Sequence, residues 1–343
     1  MDATAILAIP ESQPERLFPN SEDEAKSLFR DMAKRWHPDV NKDPRAQAVF
    51  DRLNKLYDNV LDKIKNKTWS KPGELSLRGK DGKIRTVKYR RKHSFELGEM
   101  VYGDRVICYV VKPEHKDLFG QFMETAKHGF KYENDDMKSE IERYLPSILD
   151  NFETDKGEHV VVLSKTPDVF LLKDVLDFHN GEMNPKHVAW VISSLYNLTC
   201  YLGYTGLTHN GISEMTCFVS PKHHSVMIFG GWWYSRRVGS KLNALPKLSA
   251  ETAPSEMLQT KVADYKLDLR LIRQLGLTLL GDPSGSVIIH TDKAPKPMLD
   301  FLRGVTQGDA RQDYSSWEKA RDKSFGKRRF VEMKIEASDI YKD

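Results

Sequence analysis

The sequence predicts an α+β chain in two parts: an all-α helical hairpin near the N-terminus, then a region that opens in short strands and closes in long helices. Three observations carry this. Apolar residues at Ala25, Leu28, Phe29, Met32 and Trp36 recur with a helical period. A second stripe of the same period, Ala46, Val49, Phe50, Leu53, Tyr57, Val60, Leu61 and Ile64, follows a proline turn. Beyond residue 85 the apolar runs are first short, as in Val106 to Val111, and later long, as in Pro185 to Tyr204. A chain of 343 residues has room for about two or three domains and at least one large core.

The first helix of the hairpin begins after Ser21, where Glu24 three residues on fits a capping box and the acidic first turn suits the helix dipole. It ends at His37-Pro38-Asp39, because proline disfavours helical backbone in the residue before it. The second helix starts near Pro44, a residue suited to a first turn. A short polar turn between amphipathic helices makes them antiparallel neighbours.

The run from Leu28 to Asn41, with Phe50, Leu53, Asn54 and Tyr57 beyond it, resembles the J domain of DnaJ-type co-chaperones over residues 13–66. In that family the His-Pro-Asp turn and the basic face of the helix before it contact a DnaK-type chaperone and stimulate its ATPase. The resemblance places that role on His37, Pro38 and Asp39, with Lys34, Arg35 and Arg30 as the basic face. Nearby cations would steer an acidic partner. Two departures stand out: the first helix of the family is reduced to Pro14–Phe18, and no clear basic fourth helix follows.

Charge and composition narrow the function classes. The 53 basic and 49 acidic residues give a net charge of +4, without the clustered basic excess of a nucleic-acid binder. The run Lys88 to Lys92 lacks the interleaved aromatics of a stacking platform and reads as a solvated strand edge or linker. Cys108, Cys200 and Cys217 are too few and too dispersed for a disulfide framework or a zinc site, and His223-His224 have no ligand partners at metal spacing. Neither a signal peptide nor a membrane span is legible, so a reducing, cytoplasmic setting is expected.

Turn-rich punctuation, Trp69 to Gly73 and Gly79 to Gly82, marks a linker over 67–85. Strands are then expected at Ile84–Tyr89, Phe95–Tyr102, Val106–Val111 and Phe119–Ala126, a charged helix at Asp135–Leu145, and a strand at His159–Leu163. Helices follow at Leu171–Phe178, Pro185–Tyr204, Asp264–Leu280, Met298–Val305 and Ser315–Ser324. Residues 331–343 read as a charged tail.

This order resembles a two-lobed protein-kinase-like domain over residues 86–330, with a small β-rich lobe (86–165) and a larger α-rich lobe (166–330). Thr208 to Ser213, containing His209, resembles a kinase catalytic loop; Ala253-Pro254-Ser255-Glu256 resembles the Ala-Pro-Glu segment, with Asp268 on the next helix and Arg311 expected to pair with Glu256. The organisation resembles J-domain and kinase-like fusions found in bacteria and their bacteriophages.

Phosphoryl transfer needs a lysine on the phosphates, ligands for magnesium and a catalytic aspartate. The resemblance puts Gly211 where the aspartate belongs, Thr216 in place of the metal-binding asparagine, and Phe229 or Gly230 in place of the metal-binding aspartate. The glycine loop keeps Gly98 and Gly103 but has Met100 between them. Lys127 is expected at a strand end as the phosphate lysine, with Lys112 as an alternative and Glu140 as its helix partner. Trp232, Trp233 and Tyr234 read either as packing against the lobe or as a protein-binding anchor.

These features imply a pseudokinase with no cofactor and no metal. The leading expectation is an adaptor: the J domain recruits and stimulates a DnaK-type chaperone while the second region holds an unknown client. The alternatives are an atypical kinase drawing on Glu214 or Asp264, and a decoy that sequesters the chaperone.

Overall fold

The computed structural model describes residues 1–11, 13–66, 68–69, 73–326 and 331–341. Its contacts divide the chain into two units: residues 1–93 with 101–103 and 152–160, and the remainder.

The first unit opens with α1 (Ala3–Leu7), whose N-cap Asp2 accepts the Ala5 N–H through Oδ1 at 2.8 Å. α2 (Glu22–Trp36) is capped by Ser21, and α3 (Ala46–Lys65) runs back beside it. The helical stripes meet as the spacing predicts. Ala3, Ile6, Trp36, Val49 and Leu53 form one buried cluster, and Ile9, Phe18, Ala25, Leu56 and Val60 form another. Phe29 stacks on Tyr57 at 4.4 Å between the two helices.

The reduced first helix expected at Pro14–Phe18 is not the one found. Pro14–Arg16 is a single 3-10 turn, and the first helix is α1, which buries Ala3 and Ile6. The segment between them is tied to α3 by polar contacts: Lys63–Glu15 at 2.6 Å, Lys55–Glu11 at 3.0 Å, and Asn59 Nδ2 donating to the Glu11 carbonyl. Apolar periodicity is hard to read over only five residues, which is why α1 escaped the sequence pattern.

The expected linker holds an antiparallel hairpin, β1 (Glu74–Arg78) with β2 (Ile84–Lys88), turned through Gly79–Gly82. Gly82 has φ +77°, a backbone that favours glycine. Ser70, Lys71 and Pro72 of the predicted turn lie outside the described residues.

Farther along, β3 (Arg91–Phe95), β4 (Gly98–Tyr102) and β5 (Val106–Val111) lead into α4 (Lys116–Glu124). The expected strand at Phe95–Tyr102 is thus two strands broken at Glu96-Leu97, and the expected strand at Phe119–Ala126 is helical. The period decides the second case: Leu118, Phe119, Phe122 and Met123 share one helical face, and the two phenylalanines are buried. Glycine is needed at 98 and 103, because a Cβ would meet the Val110 carbonyl oxygen at 2.0 Å and the Lys88 carbonyl oxygen at 2.6 Å.

α5 (Asp135–Ile141), capped by Asn134, precedes β6 (Ile148–Glu153) and β7 (His159–Ser164), and the sheet runs β3-β4-β5-β7-β6. Then come β8 (Phe170–Leu171), α6 (Leu172–Phe178) and α7 (Pro185–Thr205), the last begun by a proline and closed at Gly206 with φ +72°. β9 (Leu207–Thr208), β10 (Cys217–Ser220), β11 (Ser225–Ile228) and β12 (Arg236–Arg237) make two small sheets, β11-β10-β8 and β12-β9.

The remaining helices are α8 (Lys247–Thr252), α9 (Ser255–Thr260), α10 (Lys266–Leu279), α11 (Lys296–Arg303), α12 (Ala310–Phe325) and α13 (Ala337–Ile340). A buried ion pair joins α10 to α12, Arg273 to Asp313 at 2.6 Å, and Tyr196 Oη donates to Asp313 at 2.6 Å. The pairing expected between Arg311 and Glu256 does not form: both side chains are exposed, and neither has an ion-pair partner among the described residues. Residues 331–341 are no solvated tail, since Met333, Ile335, Ile340 and Tyr341 are buried. No helix among the described residues is long and apolar enough to cross a membrane.

Candidate functional site

α2 stops where Pro38 forces its neighbour out of the helix: His37 has φ −62° and ψ 130°. The His37 carbonyl accepts from the N–H groups of Val40 and Asn41 at 3.0 and 2.9 Å, closing a tight turn. Asn41 Nδ2 donates to the Arg35 carbonyl at 2.9 Å, satisfying one of the free acceptors at the helix end. Asn41 Oδ1 accepts the Asp43 N–H, and Asp43 Oδ1 accepts the Arg45 N–H, both at 2.9 Å. The Arg45 guanidinium beside Asp43 holds its carboxyl below the usual range and also reaches Thr4 Oγ1 at 3.0 Å.

The turn is therefore held from both ends while its own side chains stay open. The His37 ring sits edge-on against Phe50 at 5.2 Å, which fixes its plane. His37 Nδ1 accepts the Asp39 N–H at 3.2 Å, so in the neutral ring the proton sits on Nε2. Side-chain exposure is 44% for His37 and 85% for Asp39, and Pro38 is exposed.

The basic face is equally open. Arg30, Lys34 and Arg35 are exposed, and none has an ion-pair partner among the described residues. Lys26 belongs with them: at helical spacing from Arg30 and Lys34 it extends the same exposed stripe. Sequence reading stopped at Arg30, although the spacing of four already placed Lys26 there. Trp36, buried in the core beside Val49 and Leu53, fixes the roll of α2 and hence the face its cations present.

The DnaJ domain family model matches residues 6–69 of this chain. That stretch is a DnaJ domain. It begins earlier than the 13–66 expected, because it takes in the end of α1 and the segment that follows. Similar proteins include the chloroplastic chaperone protein dnaJ A7B of Oryza sativa subsp. japonica, 41% identical over 59 residues, which are 17% of this chain and 13% of that protein. The chaperone protein DnaJ of Streptococcus mutans is 34% identical over 59 residues, covering 17% of this chain and 16% of its own. DnaJ homolog subfamily B member 5 of Mus musculus is 35% identical over 77 residues, covering 22% of this chain and 20% of its own. Each likeness thus spans a fifth or less of the relative, and the J domain is the part of this chain that the family match describes.

In the second unit a buried loop brings together His209, Gly211, Thr216, Phe229, Gly230 and Asp268. The N–H groups of His209 and Asn210 both donate to the Asp268 carboxylate at 2.7 Å, and Asn210 takes a left-handed φ of +62°. Burial pushes the Asp268 carboxyl up to about 6 against the pull of those two donors. His209 is fully buried, its Nε2 bonds the Gly230 carbonyl oxygen at 2.9 Å, and burial lowers it to about 4. Thr216 Oγ1 donates to the Gly211 carbonyl at 2.8 Å, so its hydroxyl is spent on the loop.

Beside this loop lies a cleft of about 400 Å³ lined by Gly211, Thr216, Gly230, Trp233 and Tyr234 among others. A Cβ at Gly230 would sit 2.7 Å from Tyr109 Oη and 3.2 Å from Thr216 Cα, and one at Gly231 would sit 2.6 Å from the His209 ring. Phe229 is buried against Phe218. Among the described residues its lining holds Glu96 and Glu214 and no lysine or arginine. Asp264 is elsewhere, accepting the Lys266 N–H at the start of α10.

The structure corrects the placement expected for Lys127 and its pairing with Glu140, and it favours the packing reading of the aromatic run. Lys127 is not at a strand end: it is exposed in a π-helical turn, Thr125–Gly129, after α4. It makes no ion pair with Glu140, which is exposed on α5, and Lys112 is exposed just past β5. Trp232, Trp233 and Tyr234 are 0%, 3% and 5% exposed, so they pack inside the unit rather than forming an open anchor. Trp232 Nε1 donates to the Ile228 carbonyl at 2.8 Å, and Trp233 packs on Phe95, Tyr109 and Phe122.

Proposed function

We propose that this chain is a co-chaperone adaptor whose J domain engages a DnaK-type chaperone and stimulates its ATPase, while a kinase-like second region without phosphotransfer holds a client or partner. The observation that carries the reading is the turn at His37, Pro38 and Asp39: a braced backbone, open side chains and an unpaired stripe at Lys26, Arg30, Lys34 and Arg35. A rigid turn loses little freedom on binding. The cations raise the encounter rate with an acidic surface.

Support for the kinase-like description is the element order and the loop at His209, whose backbone a buried carboxylate, Asp268, clamps. Support for its inactivity is chemical. The positions that would carry acids are Gly211 and Gly230, and the cleft has carboxylates where a triphosphate needs cations. A decoy that binds the chaperone without activating it is the alternative; against it stands α1, whose Ile6 is buried with Val49 and Leu53 as part of the hairpin core. A cytoplasmic setting, with a bacterial or bacteriophage source, goes with this reading.

The test is binding of ATP-loaded DnaK to the immobilised full chain. We expect His37→Gln to weaken binding strongly with an unchanged melting temperature. Equal binding by both forms would overturn the assignment.

A further inference from the structure

The cleft of the second unit has a chemistry of its own. Its polar rim is anionic, from Glu96 in the β3–β4 turn and Glu214 in the loop before β10, with no lysine or arginine among its described lining residues. The walls are apolar and in part adaptable: Met100 and Met215 have flexible thioethers, and Trp233 gives a fixed aromatic face. Leu248 on α8 lines the cleft while remaining 37% exposed, so the apolar lining continues out to the surface.

One buried group points to an absent partner. Tyr109 is 2% exposed, lines the cleft, and its hydroxyl has no hydrogen-bond partner among the described residues. A buried hydroxyl left in this way is unfavourable, and a ligand that brings an acceptor relieves it.

We infer that this cleft receives a short extended segment of another polypeptide, apolar in character and carrying a basic side chain. The apolar residues lie against Trp233, Met100 and Met215, the cation meets Glu96 or Glu214, and a main-chain carbonyl accepts from Tyr109 Oη. Charge complementarity selects this occupant over an anionic one, because a phosphate would meet two carboxylates and no compensating cation. The inference rests on the reading of the second region as a client-holding module and names the class of client segment.

The experiment uses the full chain, without DnaK, and fluorescence anisotropy. The probes are a short labelled peptide alternating leucine and lysine, the same peptide with glutamate for lysine, and magnesium-ATP as competitor. We expect the lysine peptide to bind, the glutamate peptide to bind at least about tenfold more weakly, and ATP not to compete. The double substitution Glu96→Gln with Glu214→Gln is expected to weaken the lysine peptide about tenfold, and Tyr109→Phe about threefold. Carboxamides keep the shape of carboxylates, so the first loss should come with an unchanged melting temperature, while Tyr109→Phe keeps the ring, removes the unsatisfied hydroxyl and should raise the melting temperature of the free chain. Absence of binding, equal binding of the glutamate peptide, competition by ATP, or indifference to the double substitution would each overturn the inference. Since DnaK is absent from the assay, failure of the J-domain reading would show separately, as lost dependence of DnaK binding on His37.

Discussion

Two histidine-led loops in this chain share one local hydrogen bond and differ in what they leave exposed. At His37 and at His209 the ring Nδ1 accepts the N–H two residues on, at 3.2 Å in both cases. At the first, the neighbouring carboxylate of Asp39 is open to solvent and the flanking cations are unpaired. At the second, the ring is buried, Nε2 is bonded to Gly230, and the nearby carboxylate, Asp268, is turned inward onto backbone N–H groups. The comparison teaches that a motif's polar groups serve recognition only when the fold leaves them unsatisfied. Apart from Asn210 Oδ1, which is buried without a partner among the described residues, the loop at His209 has its polar groups bonded within the unit.

The strongest attempt to erase that difference is Gly230→Asp, which returns a carboxylate to the cleft. The new side chain would meet Tyr109 Oη and Thr216 with no cation nearby. We expect a loss of several kcal/mol in denaturant unfolding and no gain of magnesium-ATP binding by calorimetry. A stable variant that binds the nucleotide would mean the cleft retains phosphate chemistry.

Acid comes next. His209 titrates near its ordinary 6.5 when unfolded and at about 4 when folded. The unfolded chain therefore binds more protons between these values, and stability falls as pH drops through that window, by about 3 kcal/mol from this group. Asp268 acts with the opposite sign: raised from 3.8 to about 6, its carboxyl favours the folded state as pH falls from about 6 to 3.8. Asp268→Asn should thus steepen the acid loss below pH 6, read by unfolding at a series of pH values; an unchanged slope would remove the buried carboxyl from the account.

The smallest effect concerns the open loop. Lys26→Ala should weaken DnaK binding about twofold at low salt and by less in high salt, where exposed charges are screened. A loss that persists in high salt would indicate that Lys26 makes a close contact instead of contributing to steering.

Much of the first unit was legible because its signals are local. The stripes at Ala25–Trp36 and Ala46–Ile64 and the stop at Pro38 are properties of neighbouring residues, and the helices fall where those patterns put them. α1 was not legible, since its burial of Ile6 depends on Val49 and Leu53 some forty residues on. In the second unit β5, α7 and α10 fall where their periodicity puts them, whereas α4 stands where a strand was expected, although Leu118, Phe119, Phe122 and Met123 carry a helical spacing. The candidate sites divide in the same way. His37 could be placed from its neighbours, while pairings across space, Lys127 with Glu140 and Glu256 with Arg311, had no local signal and do not form. The orphaned hydroxyl of Tyr109 depends on which groups surround it, and no spacing rule encodes that.

The most direct measurement is steady-state ATP turnover by a DnaK-type chaperone with the full chain and with its His37→Gln form. The account predicts stimulation by the unsubstituted chain and none by the variant. Binding without stimulation, or stimulation that survives the loss of His37, would contradict it.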